Sequence, residues 1–324
     1  MNRFKNILYV HSSETDQTCA LARAVALSRA SQARLTALAV VEKLPAGAML
    51  RGMELTRDTL QKALVGETER GLHELLGAAG ATGGVDIKVV TGTPFLEAIR
   101  DVLCKGRDLV IKCAETQDLT GRLFGSDDMH LLRKCPCPVW LCKPNAGGRC
   151  RRIMVAVDAE QLYPRDELET RHDLNLRLLE LATALARADS AELHVAYAWT
   201  AIAEGVMRSS SLWAPEERID AYIASERQRH AQALESLLAE LEAVMRDRGE
   251  PMPEPIRHLP RGSARTEIPA LARRIDADLL VLGTLGRTGV PGFFIGNTAE
   301  TVLYQADCSV LALKPVGFVS PVTC

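Results

Sequence analysis

The stretch DLVIKCAETQDLTGRLFGSDDMHLLRKCPCPVWLCKP, residues 108–144, is repeated with changes as DLLVLGTLGRTGVPGFFIGNTAETVLYQADCSVLALKP, residues 278–315. Gly125 aligns with Gly296 at a spacing of 171 residues, and the lysines near the two ends align at the same spacing. Glycine, apolar and lysine positions that keep one spacing over a whole stretch indicate a duplicated unit. The two copies differ in one respect, because only the second keeps a series of glycines.

The repeat divides the chain into two domains. Residues 8–13 align with residues 155–160 at the start of each copy, which places His11 opposite Asp158. With 324 residues, the chain is long enough for two domains of ordinary size. The predicted parts are a first domain over residues 1–144, a linker with Asn and Gly over residues 145–151, and a second domain over residues 152–324.

Each half alternates short β-rich runs with helical periods, as expected for parallel strands joined by crossover helices. The predicted strands are residues 6–10, 34–41, 85–90, 108–112 and 139–142 in the first half, and 153–157, 192–198, 254–258, 279–282 and 310–313 in the second. Helices are predicted at residues 18–30, 55–76, 175–188 and 216–247. The predicted fold class is α/β, with two tandem five-stranded parallel sheets that carry helices on both faces. Ligands of such sheets bind at the carboxyl ends of the strands.

The composition is that of a soluble globular protein, with 47% hydrophobic and 25% charged residues. A net charge of −2 and an aromatic content of 4% argue against nucleic acid as a partner, because nucleic-acid binders usually carry a basic face and stacking side chains. No segment approaches the roughly 20 apolar residues that span a bilayer, and the start of the chain has no apolar run of signal-peptide length. We therefore expect a cytoplasmic protein with no membrane partner.

The nine cysteines are widely scattered, and an odd number cannot all be paired, which does not fit a secreted disulfide framework. Reduced thiols are therefore predicted. Their closest cluster has spacings short enough for a zinc site and consists of Cys135, Cys137, Cys142 and Cys150. Two prolines interrupt this cluster, and Cys142 lies in the predicted buried strand VWLCK. Buried cysteines that pack as small apolar residues are favoured, and a metal site is the alternative.

A glycine loop follows the fourth predicted strand of the second half. Gly283 and Gly286 precede Gly296, which opens the last helix together with Asn297 and Thr298. Glycines let the backbone approach a ligand closely, and the N–H groups at a helix start attract phosphate oxygens. The loop lacks the Gly-Lys-Ser/Thr ending of a P-loop and the triple-glycine spacing of a dinucleotide fingerprint. The alternative interpretation is a tight loop that lets the last helix pack against the sheet.

The spacing G-x2-G-x9-G, together with Asp158 after the first strand of the same half, resembles the nucleotide-binding signature of the universal stress protein family. The segment GTLGRTGVPGFFIGNTAE is similar to the second domain of the tandem, E-type members, and the resemblance covers essentially the whole chain. It implies an α/β fold with five parallel strands in each domain. It also implies ATP or a related adenine nucleotide, with or without magnesium, in one subset of members and no nucleotide in another.

The resemblance assigns the site residue by residue. Asp158 would meet the ribose or a metal, and Ala198 would lie beside the adenine. The positions around the phosphates would be Gly283, Gly286, Arg287, Gly296, Asn297 and Thr298. Members that bind ATP usually have Ser or Thr directly after the last glycine, whereas this chain has Asn297, whose amide can also donate a hydrogen bond. For Asp158, a helix cap or turn residue is an equal alternative.

The first half departs further from this signature. Lys112 or Cys113 stands at the position of the first glycine, depending on a one-residue gap. The last glycine is kept as Gly125, but the neighbouring sequence is rich in carboxylates, namely Glu115, Asp118, Asp127 and Asp128. Several carboxylates around a phosphate site repel the ligand and compete for its amides. We therefore predict that this half binds no triphosphate.

No dedicated hydrolase or transferase motif is present, and slow ATP hydrolysis is the most turnover that we predict. The leading hypothesis is a stress-response protein that binds an adenine nucleotide in its second half and acts through binding and interaction. The alternative is a carrier of an apolar ligand or a protein-interaction scaffold, with residues 201–212 and Trp213 as a roof. The last strands of the two copies would pair as sheet edges, so we expect an intrachain pseudo-dimer of the domains and leave a further homodimer open.

Overall fold

The computed structural model describes residues 4–13, 15–45, 56–81, 83–115, 123–144, 146–209, 214–285 and 295–324. These residues form two compact units. The first unit is built from the first copy of the repeat together with the end of the chain from Asp307, and the second unit is built from the rest of the second copy.

The helices and strands alternate along both copies. The first copy contains β1 (Asn6–His11), α1 (Thr18–Ser31), β2 (Arg34–Val41), α2 (Arg57–Ala78), β3 (Val85–Thr91), α3 (Pro94–Lys105), β4 (Leu109–Cys113), α4 (Ser126–Lys134) and β5 (Val139–Cys142). The second copy contains β6 (Arg152–Ala156), α5 (Arg165–Asp189), β7 (Glu192–Ala196), α6 (Glu204–Met207), α7 (Glu216–Asp247), β8 (Ile256–His258), α8 (Ala264–Arg274), β9 (Leu279–Gly283), α9 (Asn297–Gln305) and β10 (Ser309–Leu313). None of the described helices has a stretch long and apolar enough to cross a bilayer.

The α/β fold class is confirmed, with one strand placed differently from the expectation. In the first unit the strand order is β3-β2-β1-β4-β5-β10, and in the second it is β9-β6-β7-β8. All pairings described within the units are parallel except that of β10, which runs antiparallel to β5 with Leu311 opposite Trp140. Each of these two strands would otherwise leave a row of unpaired backbone groups at a sheet edge. Their pairing agrees with the expected pseudo-dimer, whereas the boundaries at 144 and 152 stay a prediction.

An aspartate holds the first strand of each copy. Asp108 accepts hydrogen bonds from the backbone N–H groups of Lys5 and its successor, at 2.6 and 3.0 Å. Asp278 accepts the equivalent bonds from Arg151 and its successor, at 2.6 and 2.9 Å. Hydrogen bonds to a charged group contribute about 1.5–3 kcal/mol. They set the register between the first and fourth strands of each copy, and thereby the place where both strands leave the sheet.

Most of the predicted helices and strands are confirmed to within a few residues. The helix predicted at 216–247 is α7, and its apolar stripe is buried. The helix predicted at 175–188 is α5, and its predicted start was wrong by ten residues, because α5 begins at Arg165. His172 therefore lies on a helix, with its Nε2 atom 3.1 Å from Glu240 Oε1. The predicted strand 254–258 is reduced to β8, since Pro255 directly precedes it and has no N–H group for the sheet.

The prediction that all cysteines are reduced was wrong for one pair. Cys104 of α3 and Cys324 are joined in a disulfide with their Cα atoms 5.5 Å apart. Both residues belong to the first unit. Their separation of 220 residues hides this proximity in the sequence, and only the folded chain brings the last residue back to α3. The other seven cysteines are buried and not disulfide-bonded.

We expect Cys324→Ser to lower the free energy of unfolding by about 2–4 kcal/mol in buffer without added oxidant or reductant. The reason is that the disulfide restricts the unfolded chain. Urea denaturation followed by circular dichroism measures the change. Dithiothreitol should lower the stability of the wild-type protein to that of Cys324→Ser and leave the variant unchanged. Equal midpoints for the untreated proteins would contradict the expectation.

Candidate functional site

Three of the predicted site residues lie at one edge of the sheet in the second unit. The register pairs Ala156 at the end of β6 with Ala196 in β7 and with Leu282 in β9. Because these strands are parallel, the segments that follow them leave the sheet at the same edge, where ligands of parallel sheets bind. The predicted site residues in these segments are Asp158, Ala198 and Gly283.

The start of α9 carries three more predicted site residues. Gly296 is the N-cap residue, and no side-chain hydrogen bond caps the helix among the described residues. Asn297 and Thr298 are exposed. The first N–H groups of a helix have no intrahelical partner and lie at the positive end of the helix dipole, so this start can hold an anion. The remaining two predicted residues, Gly286 and Arg287, lie outside the described residues.

Asp158 already has partners within the chain. Its Oδ2 atom accepts hydrogen bonds from the Arg171 guanidinium at 2.6 Å and from the Tyr163 hydroxyl at 3.1 Å. The Arg171 guanidinium also lies 3.8 Å from the centre of the Tyr163 ring. The other oxygen, Oδ1, accepts a longer bond of 3.3 Å from the backbone N–H of Glu160. Since a carboxylate oxygen can accept two hydrogen bonds and this side chain is 41% exposed, Oδ1 can still accept one from a hydroxyl group.

The backbone of Asp158 is held by α5. Its N–H donates to Asn175 Oδ1 at 3.0 Å, and its carbonyl accepts from Asn175 Nδ2 at 2.7 Å. Partial burial raises the pKa of Asp158, while the nearby Arg171 lowers it by less. The hydrogen bond from Glu160 to Asp158 is a turn contact, which was the alternative to a ligand role for this residue. Asp158 therefore has a structural role whether or not it meets a ligand.

A second polar cluster at this edge was not predicted from the sequence. Glu160 Oε1 accepts a hydrogen bond from Arg229 of α7 at 3.0 Å. The neighbouring His230 is buried, and its Nδ1 atom lies 2.7 Å from the Tyr197 hydroxyl. Burial and then Arg229 lower the pKa of His230, so its imidazole is neutral at pH 7. The indole ring of Trp199, 5.4 Å from the His230 ring, completes the cluster. The helical pattern of α7 gives no sign of it, because partners from three segments meet only in the fold.

Gly283 is required by the packing of α5. A Cβ atom at this position would lie 2.6 Å from Leu174 Cδ2 and 3.1 Å from Leu174 Cγ. Leu174 is itself buried, so it cannot move away without leaving a gap. This contact supports the packing interpretation for Gly283, and a role in ligand binding stays a prediction.

The aspartate contacts correct the sequence alignment of the two copies. Asp108 binds the backbone N–H of Lys5, and Asp278 binds the backbone N–H of Arg151 in the same way. Lys5 and Arg151 therefore occupy equivalent positions in the two copies. The counterpart of Asp158 is therefore Ser12, and the alignment with His11 was wrong by one residue. Buried parallel strands are apolar on both faces, so their sequences match almost equally well after such a shift.

In the first half, the chain fills the position of the phosphate cradle with its own charges. Lys112 donates to Asp128 Oδ1 at 2.7 Å and to Glu115 Oε1 at 2.6 Å. The side chains of Lys112 and Asp128 are 4% and 0% exposed. Asp128 Oδ2 also accepts from the backbone N–H groups of Glu115 at 2.8 Å and of Gly125, the N-cap residue of α4, at 3.2 Å.

These charges stabilise one another. Burial lowers the pKa of Lys112, but Asp128 and Glu115 outweigh this effect, so its pKa is raised and the ammonium stays charged. The equivalent positions of the second half hold Leu282 in β9 and Ala299 in α9, which cannot form such a cluster. The absence of triphosphate binding in the first half stays a prediction, and its basis now includes a buried cation beside the carboxylates.

The model of the universal stress protein family matches residues 3–143 and 150–314. The chain belongs to the universal stress protein family. It is 28% identical to universal stress protein E of Escherichia coli K12, with 99% of this chain and 98% of that protein covered. It is 32% identical to universal stress protein E of Salmonella typhi over 74% of this chain and 71% of that protein. These matches confirm the resemblance to the tandem, E-type members.

Solved structures give the same fold. A protein of unknown function from Pseudomonas aeruginosa PAO1 has a TM-score of 0.68 and 25% identity, with 97% of this chain and 94% of that chain covered. A universal stress protein from Archaeoglobus fulgidus has a TM-score of 0.59 and 16% identity over 95% of this chain and 98% of its own, which supports the fold alone.

The cysteine cluster of this universal stress protein is not assembled as a metal site. Cys135 and Cys137 have their sulfur atoms 3.6 Å apart. Across the part of the chain that the structure describes, no group of three or more His, Cys, Asp or Glu residues is placed to hold a metal ion.

We expect Gly283→Ala to lower the free energy of unfolding by about 1–3 kcal/mol, because the new methyl group overlaps Leu174. Gly71→Ala is the matched control, since it adds the same group to an α2 position with open space and should raise the stability by about 0.5–1 kcal/mol. Chemical denaturation measures both. A neutral Gly283→Ala would mean that α5 can shift and that packing does not explain this glycine.

We expect Lys112→Met to lower the free energy of unfolding by about 3–5 kcal/mol, because it leaves Asp128 buried without its cation. The control is Lys88→Met, which removes the lysine paired with Asp101. Lys88 is 40% exposed, and Asp101 keeps Arg107 as a partner at 2.7 Å. This change should lower the free energy of unfolding by less than about 1 kcal/mol.

The double variant Lys112→Leu with Asp128→Ala introduces the residues of the second half. It should recover most of the stability lost in Lys112→Met, because no buried charge is then left unpaired. A double variant as unstable as the single one, measured in the same denaturation series, would contradict the ion-pair explanation.

Proposed function

We propose that this universal stress protein binds ATP or a related adenine nucleotide in its second half and acts through binding and interaction. The observation that carries the proposal is the start of α9, where Gly296 has no side-chain cap among the described residues and Asn297 and Thr298 are exposed. In the first half, Asp128 in the first turn of α4 accepts from the backbone N–H of the N-cap residue Gly125, and the equivalent residue of α9 is Ala299. A carboxylate therefore lies at the helix start in the first half, whereas the equivalent position of the second half has none.

The duplication supports the position of this cradle relative to the sheet. In the first half, Asp128 of α4 binds Lys112 of β4, so the start of that helix lies at the carboxyl end of that strand. The second copy has the same order of elements, which supports an equivalent position for the start of α9 at the end of β9. A phosphate chain at α9 and a ribose near Asp158 would then share one edge of the sheet.

The proposed contacts follow from the chemistry of each group. Asp158 Oδ1 would accept a ribose hydroxyl or meet a magnesium ion, and Ala198 would lie beside the adenine. Backbone N–H groups and donor side chains would surround the phosphates, and their residues are Gly283, Gly286, Arg287, Gly296, Asn297 and Thr298. Asn297 would donate through its amide where ATP-binding relatives usually have a hydroxyl group. We propose a cytoplasmic protein in which such binding, with slow hydrolysis at most, changes its interactions.

A second candidate is the binding of an apolar ligand or a protein at the same end of the second unit. It is favoured by three apolar side chains that face solvent, Leu162 and Ile202 at 71% exposure and Val206 at 53%. The engagement of Asp158 by Arg171 also favours it, since a ribose has to share this carboxylate. Trp213, the other part of the predicted roof, lies outside the described residues.

Isothermal titration with millimolar ATP and magnesium at two temperatures tests the proposal, and we expect one site per chain. Thr298→Asp should weaken binding at least tenfold, about 1.4 kcal/mol, because it places a carboxylate at the phosphate position. An acidic residue in the first turn stabilises a helix, so a loss of binding in this variant is not a loss of folding.

The matched control is Asp127→Thr, which makes the reverse change at the corresponding position of the first half and should leave the dissociation constant unchanged. If the wild type and Thr298→Asp bind ATP with the same dissociation constant, the nucleotide lies elsewhere. No heat and no rise in melting temperature with ATP would leave the apolar or protein ligand as the function.

A further inference from the structure

Three cysteines of the first half converge at the carboxyl end of its sheet. Cys113 and Cys142 are the last residues of β4 and β5 and are register partners on these parallel strands. Cys19 lies in the first turn of α1, which packs against β4. All three are buried, and none is disulfide-bonded. The nucleotide proposal uses none of them.

Two of the three thiols donate to backbone carbonyls beside another cysteine of the group. Cys19 donates to the carbonyl of Lys143 at 3.2 Å, and Cys113 donates to the carbonyl of Asp16 at 3.0 Å. The first of these carbonyls belongs to the residue after Cys142, and the second to the residue three positions before Cys19. These contacts, together with the register of the two strands, place the three side chains at one point of the sheet edge.

This environment favours a thiolate at Cys19. The donors Cys113 and then Cys142 hold the pKa of Cys19 well below its usual range, and the backbone N–H groups of Ala20 and Ala146 add to the effect. The position in the first turn of α1 acts in the same direction, because a helix N-terminus stabilises negative charge. The same contacts and burial raise the pKa of Cys113 and Cys142, which therefore stay protonated.

Other charged and titratable groups act on these thiols and leave this assignment unchanged. They are Tyr9, Asp16, Arg23 and Lys112. Burial, more than any neighbour, raises the pKa of Tyr9, so the phenol is neutral. Lys112 lowers the pKa of Cys113 and Arg23 lowers that of Cys142, but the contact with Cys19 and burial raise both by more, so both thiols stay protonated.

A thiolate with two thiols beside it is the arrangement of a thiol that reacts with an oxidant and is then resolved by a neighbour. We propose that Cys19 is a peroxide-reactive residue and that Cys113 or Cys142 resolves it as a disulfide. The class of co-reactant is a hydroperoxide, from hydrogen peroxide to a small organic hydroperoxide. Cys19 is 8% exposed, which suits a small oxidant better than a protein disulfide.

The reaction has two balanced steps. The Cys19 thiolate sulfur attacks the terminal oxygen of the hydroperoxide, the O–O bond breaks, and the leaving alkoxide or hydroxide takes up a proton. Cys19 is thereby oxidised to a sulfenic acid, and the peroxide is reduced to an alcohol or water. The sulfur of Cys113 or Cys142 then attacks the Cys19 sulfur, the S–O bond breaks, and water leaves with the thiol proton.

Alkylation of the intact wild-type protein at several pH values tests the first part. An ordinary thiol reacts about tenfold more slowly for each pH unit below its pKa, because only the thiolate attacks iodoacetamide. We expect the Cys19 rate to change less than twofold between pH 8 and pH 6, whereas free glutathione added as an internal reference slows by about two orders of magnitude. A Cys19 rate that falls in parallel with that of glutathione would overturn the proposal.

Peptide mapping after one equivalent of hydrogen peroxide tests the second part. We expect a cross-linked peptide that joins Cys19 to Cys113 or Cys142 and that disappears after dithiothreitol. Cys19→Ser and Cys19→Ala should lose this product and should slow peroxide consumption at least tenfold, while Cys308→Ser should retain both. Equal consumption by folded Cys19 variants, with melting temperatures recorded for each, or oxidation confined to the Cys135 and Cys137 pair, would overturn the proposal.

Discussion

The register between the first and fourth strand of each copy is the constraint on which the proposed site depends. Asp108 and Asp278 set this register by binding backbone N–H groups at the start of β1 and of β6. Each pair of partners is more than 100 residues apart in sequence. Once this register is set, the carboxyl ends of β6, β7 and β9 lie side by side, and the residues after them share one edge. The chemistry of the edge can then change without changing the sheet, because the holding contacts are at its other end.

The two copies show how few residues decide whether such an edge is open. In the first half, Lys112 lies in a strand that is otherwise apolar and draws Asp128 and Glu115 onto the start of α4. In the second half, Leu282 and Ala299 occupy the equivalent positions, and the start of α9 has no side-chain cap among the described residues. The two copies thus differ at this edge by a buried lysine and a carboxylate that are present together in the first half and replaced together in the second. The first half instead has three cysteines at its edge.

The sequence was sufficient for the fold and only partly sufficient for the site. The repeat, the alternation of strands and helices and the limits of α7 follow from patterns that local physics explains. The one-residue error at His11 arose because buried parallel strands lack an alternating pattern that would fix an alignment. The partners of Asp158 and the cluster of Glu160, Arg229 and His230 could not be predicted, since they depend on how α5 and α7 pack over the sheet. The Cys104–Cys324 disulfide was missed for the same reason, because its two ends are distant in sequence.

The difference between the two edges is tested most directly by photolabelling with an 8-azido adenine nucleotide, followed by mapping of the labelled peptides. Labels that fall in residues 153–314, and that an excess of unmodified nucleotide removes, are the predicted result. Labels in the first half, or labels in both halves that compete equally, would contradict the account.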